Sequence, residues 1–175
     1  SFPYRLIHMV LGAFLATAFV IGGVSAWYLR RGRHREESTL MLKMATAFVA
    51  IVAPLQILAG DFQGLYVVEN QPAKLAAMEG HWETQRGAPL VLFGLPDPAT
   101  QENHYEVAVP KLGSLILKHD LIAEITGLKA FEPRNRPPVA PVFWSFRVMV
   151  ALGVLMLLLA LASAWAWARG WLDRA

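Results

Sequence analysis

The stretch Asn70 to Gln85, NQPAKLAAMEGHWETQ, holds the densest cluster of chemically useful side chains in the sequence. Lys74, Glu79, His81 and Glu83 place four titratable groups within ten positions. A carboxylate can take a proton from a bound substrate, and an ammonium group can orient a polar oxygen or stabilise developing charge. The alternative interpretation is a short amphipathic surface helix with no chemical role.

The same stretch carries helix signals. Pro72 suits the first turn of a helix, and Asn70 is a plausible cap before it. Gly80 is predicted to end or bend the helix, which would leave Glu79 near an exposed turn. Positions five apart are about 140° apart around an ideal helix, so Lys74 and Glu79 are not expected to share a face.

The composition indicates a membrane protein. Of the 175 residues, 55% are hydrophobic and 17% are charged, against about a quarter charged in typical soluble domains. The apolar residues are concentrated in blocks. The net charge of +3 comes without a basic stripe interleaved with aromatics, so no nucleic-acid partner is expected. The lack of cysteine excludes disulfides, iron–sulfur clusters held by thiolates and covalently attached c-type haem.

The apolar blocks predict an all-α membrane protein with three transmembrane helices and a large external loop, the loop containing short helices and a small β-hairpin. Two β-rich runs, 89–94 and 104–109, flank a proline-rich turn and predict the hairpin. Residues 115–129 are predicted to form a second short helix, too charged to span. The predicted organisation is a first transmembrane helix at 1–29, a cytoplasmic basic loop at 30–43, a second transmembrane helix at 44–60, the external loop at 61–141, a third transmembrane helix at 142–168 and a cytoplasmic tail at 169–175.

The orientation follows from the arginines at 30, 31, 33 and 35, which come directly after the first apolar block. Short loops rich in arginine and lysine stay on the cytoplasmic side of a membrane. The N-terminus and the loop 61–141 are therefore predicted to lie outside, and the C-terminus inside.

Two residues within the apolar blocks, His8 and Arg147, stand out because ionisable groups are rare in a membrane and often functional, and Met149 is predicted to lie at the same depth. By the predicted topology, His8 lies about one turn inside the outer end of the first helix, and Arg147 and Met149 lie about as deep in the third. Imidazole and thioether are the axial ligands of one class of low-spin haem, and an arginine can pair with a haem propionate. Each also has a plainer interpretation, since a lone histidine is more often an interfacial hydrogen-bonding group and methionines mostly fill gaps.

Four stretches of the sequence resemble subunit I of the cytochrome bd-type quinol oxidases. They are Gly60 to Gly64, Gln71 to Thr84, Phe93 to Asp97 and Arg136 to Met149. The resemblance covers essentially the whole chain, and the short loop is similar to that of the branch that includes the cyanide-insensitive oxidases.

The resemblance implies roles for particular residues. His8 and Met149 match the axial ligands of a low-spin haem b, Lys74 and Glu79 match loop residues implicated in quinol binding and oxidation, and Arg147 matches an arginine near that haem. The implied function is electron transfer from ubiquinol or menaquinol toward oxygen reduction, with protons released outside. The implied setting is the bacterial cytoplasmic membrane, with membrane lipid, the rest of subunit I and subunit II as partners.

The sequence also departs from the family. Subunit I normally has nine spans, and nothing here matches its ligand histidine for the high-spin haem b. The chain is therefore predicted to be an internal portion that does not reduce oxygen alone; the intact enzyme would add a high-spin haem b and either haem d or a second haem b. The alternative is a cofactor-free structural or assembly subunit with an external docking loop.

Overall fold

The computed structural model describes residues 2–172, and this part of the chain is mainly helical. Its α-helices are α1 (Phe2–Arg30), α2 (Arg35–Asn70), α3 (Pro72–Glu79), α4 (Leu112–Lys118) and α5 (Val139–Ala168). Its strands are β1 (Gln85–Arg86), β2 (Leu90–Asp97), β3 (Glu102–Val109) and β4 (Glu124–Ile125), and 3₁₀ turns lie at Leu128–Ala130 and Pro133–Asn135. Position 1 and the last three positions of the predicted tail lie outside the described residues.

Helices α1, α2 and α5 are long and apolar enough to cross a membrane. They contain 29, 36 and 30 residues, whereas about 20 apolar residues suffice for a hydrocarbon core of roughly 30 Å. No other helix of the described range meets these criteria. The predicted fold class, an all-α membrane protein with three spans and a folded loop, is confirmed.

The chain divides into two compact units: the first comprises Ser1–Gly60 and Leu152–Ala175, and the second comprises Asp61–Ala151. The core of the first unit is formed by small and branched side chains that let its helices approach closely. These are Leu15, Ala18, Val49, Val52, Ala53 and Ala160. Most large apolar side chains of these helices face outward, as expected for segments that meet lipid or further helices rather than water.

The segment predicted as a basic loop at 30–43 is mostly helix. Only residues 31–34 connect α1 to α2, and the turn includes Gly32 in the left-handed region at φ 65°. Glu36 and Glu37 lie in the first turn of α2, where negative charge is favourable beside the positive end of the helix dipole. The loop prediction was therefore too long because acidic residues that start a helix were assigned to the basic connection.

Helix α2 ends at Asn70 rather than at Gly60-Asp61. The prediction placed the end at a glycine–aspartate pair, but glycine inside a helix costs only about 1 kcal/mol relative to alanine. Asn70 is consequently the last residue of α2 and not the cap of α3, and its side-chain amide donates to the Tyr66 carbonyl at 2.9 Å. The residue before α3 is Gln71, which makes no side-chain capping bond.

In the second unit, β2 and β3 form the predicted hairpin. They pair antiparallel from Leu90 opposite Val109 to Asp97 opposite Glu102, with two register irregularities in β2. The Ala99 backbone N–H donates to Asp97 Oδ1 at 2.8 Å in the turn. This hydrogen bond, together with one from the side chain of His104, lowers the pKa of the Asp97 carboxyl below its usual value.

The helix predicted over 115–129 is wrong in extent. Helix α4 ends at Lys118, His119 follows in the left-handed region, and the chain continues into β4, which pairs antiparallel with β1. The Asp120 carboxylate accepts the Ile122 backbone N–H at 3.0 Å, a local side-chain bond that favours a turn over a continued helix.

Candidate functional site

Helix α3 presents two different faces. Leu75, Ala76 and Ala77 are buried, whereas Lys74 is exposed. Gly80 ends the helix in the left-handed region at φ 72°, and its backbone N–H donates to the Ala76 carbonyl. The predicted end of the helix is confirmed, and Lys74 and Glu79 indeed do not share a face.

Glu79 is buried, which corrects the expectation that it would lie near an exposed turn. Its side chain is only 3% exposed, and Oε2 accepts a hydrogen bond from Arg147 Nη2 at 2.7 Å. The Arg147 side chain is itself only 11% exposed. Because little water reaches this ion pair, each charged group is stabilised mainly by the other. Removing one partner of such a pair typically destabilises the fold by about 3–5 kcal/mol.

Arg147 is held by more than Glu79. Its Nε donates to the Val91 carbonyl of β2 at 2.6 Å, and its guanidinium carbon lies 4.8 Å from the ring centre of Phe143 and 5.4 Å from that of Phe146. Aromatic faces attract a guanidinium group through their quadrupole. The position of Arg147 is thus fixed by the hairpin and by its own helix, independently of the carboxylate.

Gly80 packs against the same aromatic group. A Cβ atom at Gly80 would lie 3.1 Å from the ring of Phe143, and its positive φ also disfavours any other residue. The ring of Phe143 therefore contacts both the Arg147 guanidinium and the residue that follows Glu79. The sequence prediction identified Gly80 only as a helix end.

Asn103 of β3 fixes the segment after α3 through both ends of its amide. Its Nδ2 donates to the Gly80 carbonyl at 2.9 Å and to Glu106 Oε2 at 2.6 Å, and its Oδ1 accepts from Trp82 Nε1 at 3.0 Å. Sequence reasoning missed Asn103, because nothing in its local pattern distinguishes it from other polar strand residues. The register of the hairpin brings it to this place.

His81 and Glu83, the other two titratable groups of the stretch 70–85, differ in burial. His81 is buried, and its Nε2–H donates to the Pro89 carbonyl at 2.8 Å, while Nδ1 has no hydrogen-bond partner among the described residues. Glu83 is exposed and pairs with Lys129. Of the four groups, Glu79 and His81 face the interior of the second unit, and Lys74 and Glu83 face outward.

The two predicted haem ligands belong to different units. His8 lies on α1 of the first unit, where its two ring nitrogens are 3.4 Å and 3.3 Å from Gln56 Nε2 of α2. Met149 lies on α5 within the second unit, with half of its surface exposed.

The donor chemistry of these two residues fits haem. Within residues 2–172, no three His, Asp or Glu side chains are arranged to hold a metal ion. One imidazole and one thioether suit an iron that brings four porphyrin nitrogens with it. The buried Gln56 Oε1, which has no partner among the described residues, adds an unsatisfied acceptor beside the imidazole.

Fold and site together define a membrane protein with three spans and a folded loop that encloses a buried carboxylate–guanidinium pair. The family model described as cytochrome bd terminal oxidase subunit I matches residues 1–175, and the chain belongs to this family. The predicted resemblance is confirmed.

The chain is similar to several characterised relatives. It is 28% identical to the cytochrome bd-II ubiquinol oxidase subunit 1 of Escherichia coli K12, over 97% of this chain and 46% of the relative. It is 32% identical to the cytochrome bd ubiquinol oxidase subunit 1 of Bacillus subtilis 168, over 86% of this chain and 34% of the relative. The solved bd oxidase of Geobacillus thermodenitrificans matches with a TM-score of 0.82 and 32% identity, over 94% of this chain and 37% of that one. The chain thus spans between a third and a half of the length of these relatives.

Proposed function

We propose that this chain is the quinol-oxidising, low-spin haem b-binding portion of a cytochrome bd-type terminal oxidase. Family membership supports the general role, and two relatives are named as ubiquinol oxidase subunits and a third as a putative menaquinol oxidase subunit. The observation that carries the proposal is the buried Glu79–Arg147 pair at the end of α3.

Glu79 is the proposed base. Its carboxylate accepts a proton from a quinol hydroxyl. To reach that hydroxyl, the carboxylate exchanges one hydrogen bond with Arg147 for one with the substrate. Arg147 does not follow the carboxylate, because Val91 and Phe143 hold the guanidinium independently. A positioned base of this kind contributes about 10²–10⁴-fold to rate.

Lys74 has a separate role in this proposal. It lies on the exposed face of α3, whereas Glu79 lies on the buried face. One quinol oxygen therefore meets the ammonium group on the exposed face, and the proton passes to the Glu79 carboxylate on the buried face of α3. A contact of this type contributes alike to the ground state and the transition state, so it acts on affinity.

His8 and Met149 are the residues proposed to hold the haem, an assignment that rests on the family and on ligand chemistry. A haem bound there would supply one-electron transfer. Arg147 is the proposed partner of a propionate: Nη1 takes part in none of the hydrogen bonds described above and remains for a second carboxylate. Oxygen reduction, with the high-spin haem b and haem d or a second haem b, belongs to the intact enzyme, in which the rest of subunit I and subunit II are the proposed partners.

The proposed location is the bacterial cytoplasmic membrane, with the second unit on the outer side so that protons leave there. The arginines of the connection between α1 and α2 support this orientation. Protease added to sealed right-side-out vesicles should cut within 61–138 and not within 30–43. If the protease cut within 61–138 only in inverted vesicles, the orientation of the chain would be opposite to the one proposed.

The decisive experiment is Glu79→Gln in the intact oxidase. Quinol-dependent oxygen consumption should fall by about 10²-fold or more while haem content is unchanged, because the amide keeps the shape of Glu79 and loses the base. An artificial donor that reduces the haem directly should bypass the defect. Glu83→Gln is the matched control, since that carboxylate is in the same loop but exposed, and it should leave turnover near normal.

Two outcomes would contradict the proposal. Full quinol turnover in Glu79→Gln would remove Glu79 from the mechanism. Loss of haem and activity together in this variant would assign Glu79 a structural role only, because the loop would no longer pack.

A further inference from the structure

We infer that Gln56 is a positioning residue for His8, and that its side-chain carbonyl accepts the hydrogen of whichever imidazole nitrogen does not bind iron. The inference rests on the proposed role of His8 as a haem ligand. It assigns a function to a buried amide that the proposal above does not use. Both residues lie in the first unit.

The contact between the two side chains is direct. Gln56 Nε2 lies 3.4 Å from His8 Nδ1 and 3.3 Å from His8 Nε2, so the amide nitrogen is nearly equidistant from both ring nitrogens. The amide oxygen, Oε1, is buried and has no hydrogen-bond partner among the described residues. A buried acceptor left unpaired costs about 1–3 kcal/mol, so this amide is poised for a donor.

Glycines on both helices make room for this contact. A Cβ atom at Gly12 of α1 would lie 3.3 Å from Gln56 Nε2, and a Cβ atom at Gly60 of α2 would lie 3.3 Å from His8 Cε1. His8 and Gly12 are four residues apart on one helix, as are Gln56 and Gly60 on the other, so each pair shares a face. Each polar side chain thus packs against the glycine of the opposite helix.

Metal ligation supplies the missing donor. A histidine that binds a metal through one nitrogen carries a hydrogen on the other, and that hydrogen almost always donates to an oxygen acceptor. Rotation of the Gln56 amide by a half turn about its last torsion exchanges Nε2 and Oε1. The oxygen then faces the imidazole, and the buried acceptor and the ring N–H satisfy each other.

This hydrogen bond would tune the haem as well as orient the ring. A stronger acceptor makes the imidazole a better electron donor to iron, which favours the ferric state and lowers the reduction potential. Removing the acceptor has the opposite effect. A purely structural role for Gln56 predicts no such dependence on acceptor strength.

The test is a redox titration of the low-spin haem band in the intact oxidase. Gln56→Leu should raise the midpoint potential and Gln56→Glu should lower it, while both variants keep the haem. Thr46→Val is the matched control, because Thr46 is a buried polar residue of α2 about 15 Å along the helix from Gln56. The midpoint potential of the haem in this variant should be unchanged.

Several results would overturn the inference. They are an unchanged potential in both Gln56 variants, a shift in the same direction in both, or loss of haem from both, since the glutamate retains an acceptor. His8→Ala separates this inference from the proposed function. If His8→Ala retains the low-spin haem, His8 is not a haem ligand and the proposed function is wrong on this point. If His8→Ala loses the haem but the Gln56 variants leave its midpoint potential unchanged, only the positioning role is rejected.

Discussion

The two units bury different kinds of polar residue. Among the described residues, the fully buried polar residues of the first unit are hydroxyl-bearing, at Ser25, Ser38 and Thr46, whereas the second unit also buries the carboxylate of Glu79 and the imidazole of His81. In the first unit, the Ser25 hydroxyl donates to the Ile21 carbonyl of its own helix. In the second unit, the Glu79 carboxylate bonds to a side chain of another element, and the Ser114 hydroxyl accepts the Ala88 N–H at 2.7 Å and donates to the Ala123 carbonyl at 2.9 Å.

This difference separates the residues proposed for haem binding from those proposed for proton transfer. In the proposed function, the helices of the first unit supply one haem ligand, His8, and a hydrogen-bond acceptor, Gln56. The second unit builds its acid–base pair from its own residues. Substitutions at His8 and Gln56 in the first unit should therefore act on the haem, whereas substitutions at Glu79 in the second unit should act on turnover. Met149 is the exception, because it lies in the second unit and is expected to act on the haem.

The largest expected effect concerns the haem. His8→Ala should remove the low-spin haem b spectrum from the assembled oxidase, because alanine offers iron no ligand. Met149→Leu should keep the fold but shift the haem toward high spin and lower its potential, since a thioether favours the ferrous state. Reduced-minus-oxidised spectra measure both, and normal low-spin spectra in both variants would contradict the ligand assignment.

The next effect tests whether the second unit depends on its own ion pair. Arg147→Met should destabilise the unit by about 3–5 kcal/mol, because Glu79 is left buried without a counter-charge. The rate of proteolysis within 61–138 reports this. Adding Glu79→Gln to Arg147→Met should restore part of the stability, and strictly additive losses would show that the two side chains do not act as a pair.

A smaller effect is expected on the exposed face of α3. Lys74→Ala should raise the apparent KM for quinol about tenfold or more with little change in kcat, because a hydrogen bond from a charged group contributes about 1.5–3 kcal/mol. Lys118→Ala, another exposed lysine of the same unit, serves as the control. A fall in kcat at unchanged KM would place Lys74 in the chemical step instead.

The smallest effect lies in the hairpin turn. Hydrogen bonds from the Ala99 backbone N–H and the His104 side chain hold the pKa of Asp97 below its ordinary value of 3.8. Their stabilisation is fully present above that value and is lost as the pH falls through the lowered pKa. Pepsin should therefore cut the hairpin faster as the pH falls through this range. The same pH dependence in Asp97→Asn would show that another group is responsible.

Much of this architecture could be predicted from the sequence. Long apolar runs determine the spanning helices, and a proline-rich turn between two β-rich runs determines the hairpin. The end of α2 and the extent of α4 could not be predicted from the sequence. At Gly60 and at Asp120 the free energies of the helical and non-helical backbone differ by only about 1 kcal/mol, so tertiary packing decides between them.

The site could be predicted only in part. Residue types and the family pattern identified Glu79 and Arg147, but the bond between them depends on tertiary packing. The same holds for Asn103, which requires the hairpin register, and for Gln56, which requires the packing of α1 against α2. Local patterns carry no information on contacts between residues so far apart in the chain.

The ion pair joins residues 68 positions apart, and this separation has a consequence for how the loop can vary. Closing a chain segment costs an entropy that grows only slowly, by about 0.6 kcal/mol for each doubling of its length. Extra residues inserted at the exposed turn between β2 and β3 would therefore weaken the contact of Glu79 with Arg147 very little. The interior of this unit can therefore keep its geometry when the turn lengthens, and a single cut in the chain would be far more damaging than a long insertion.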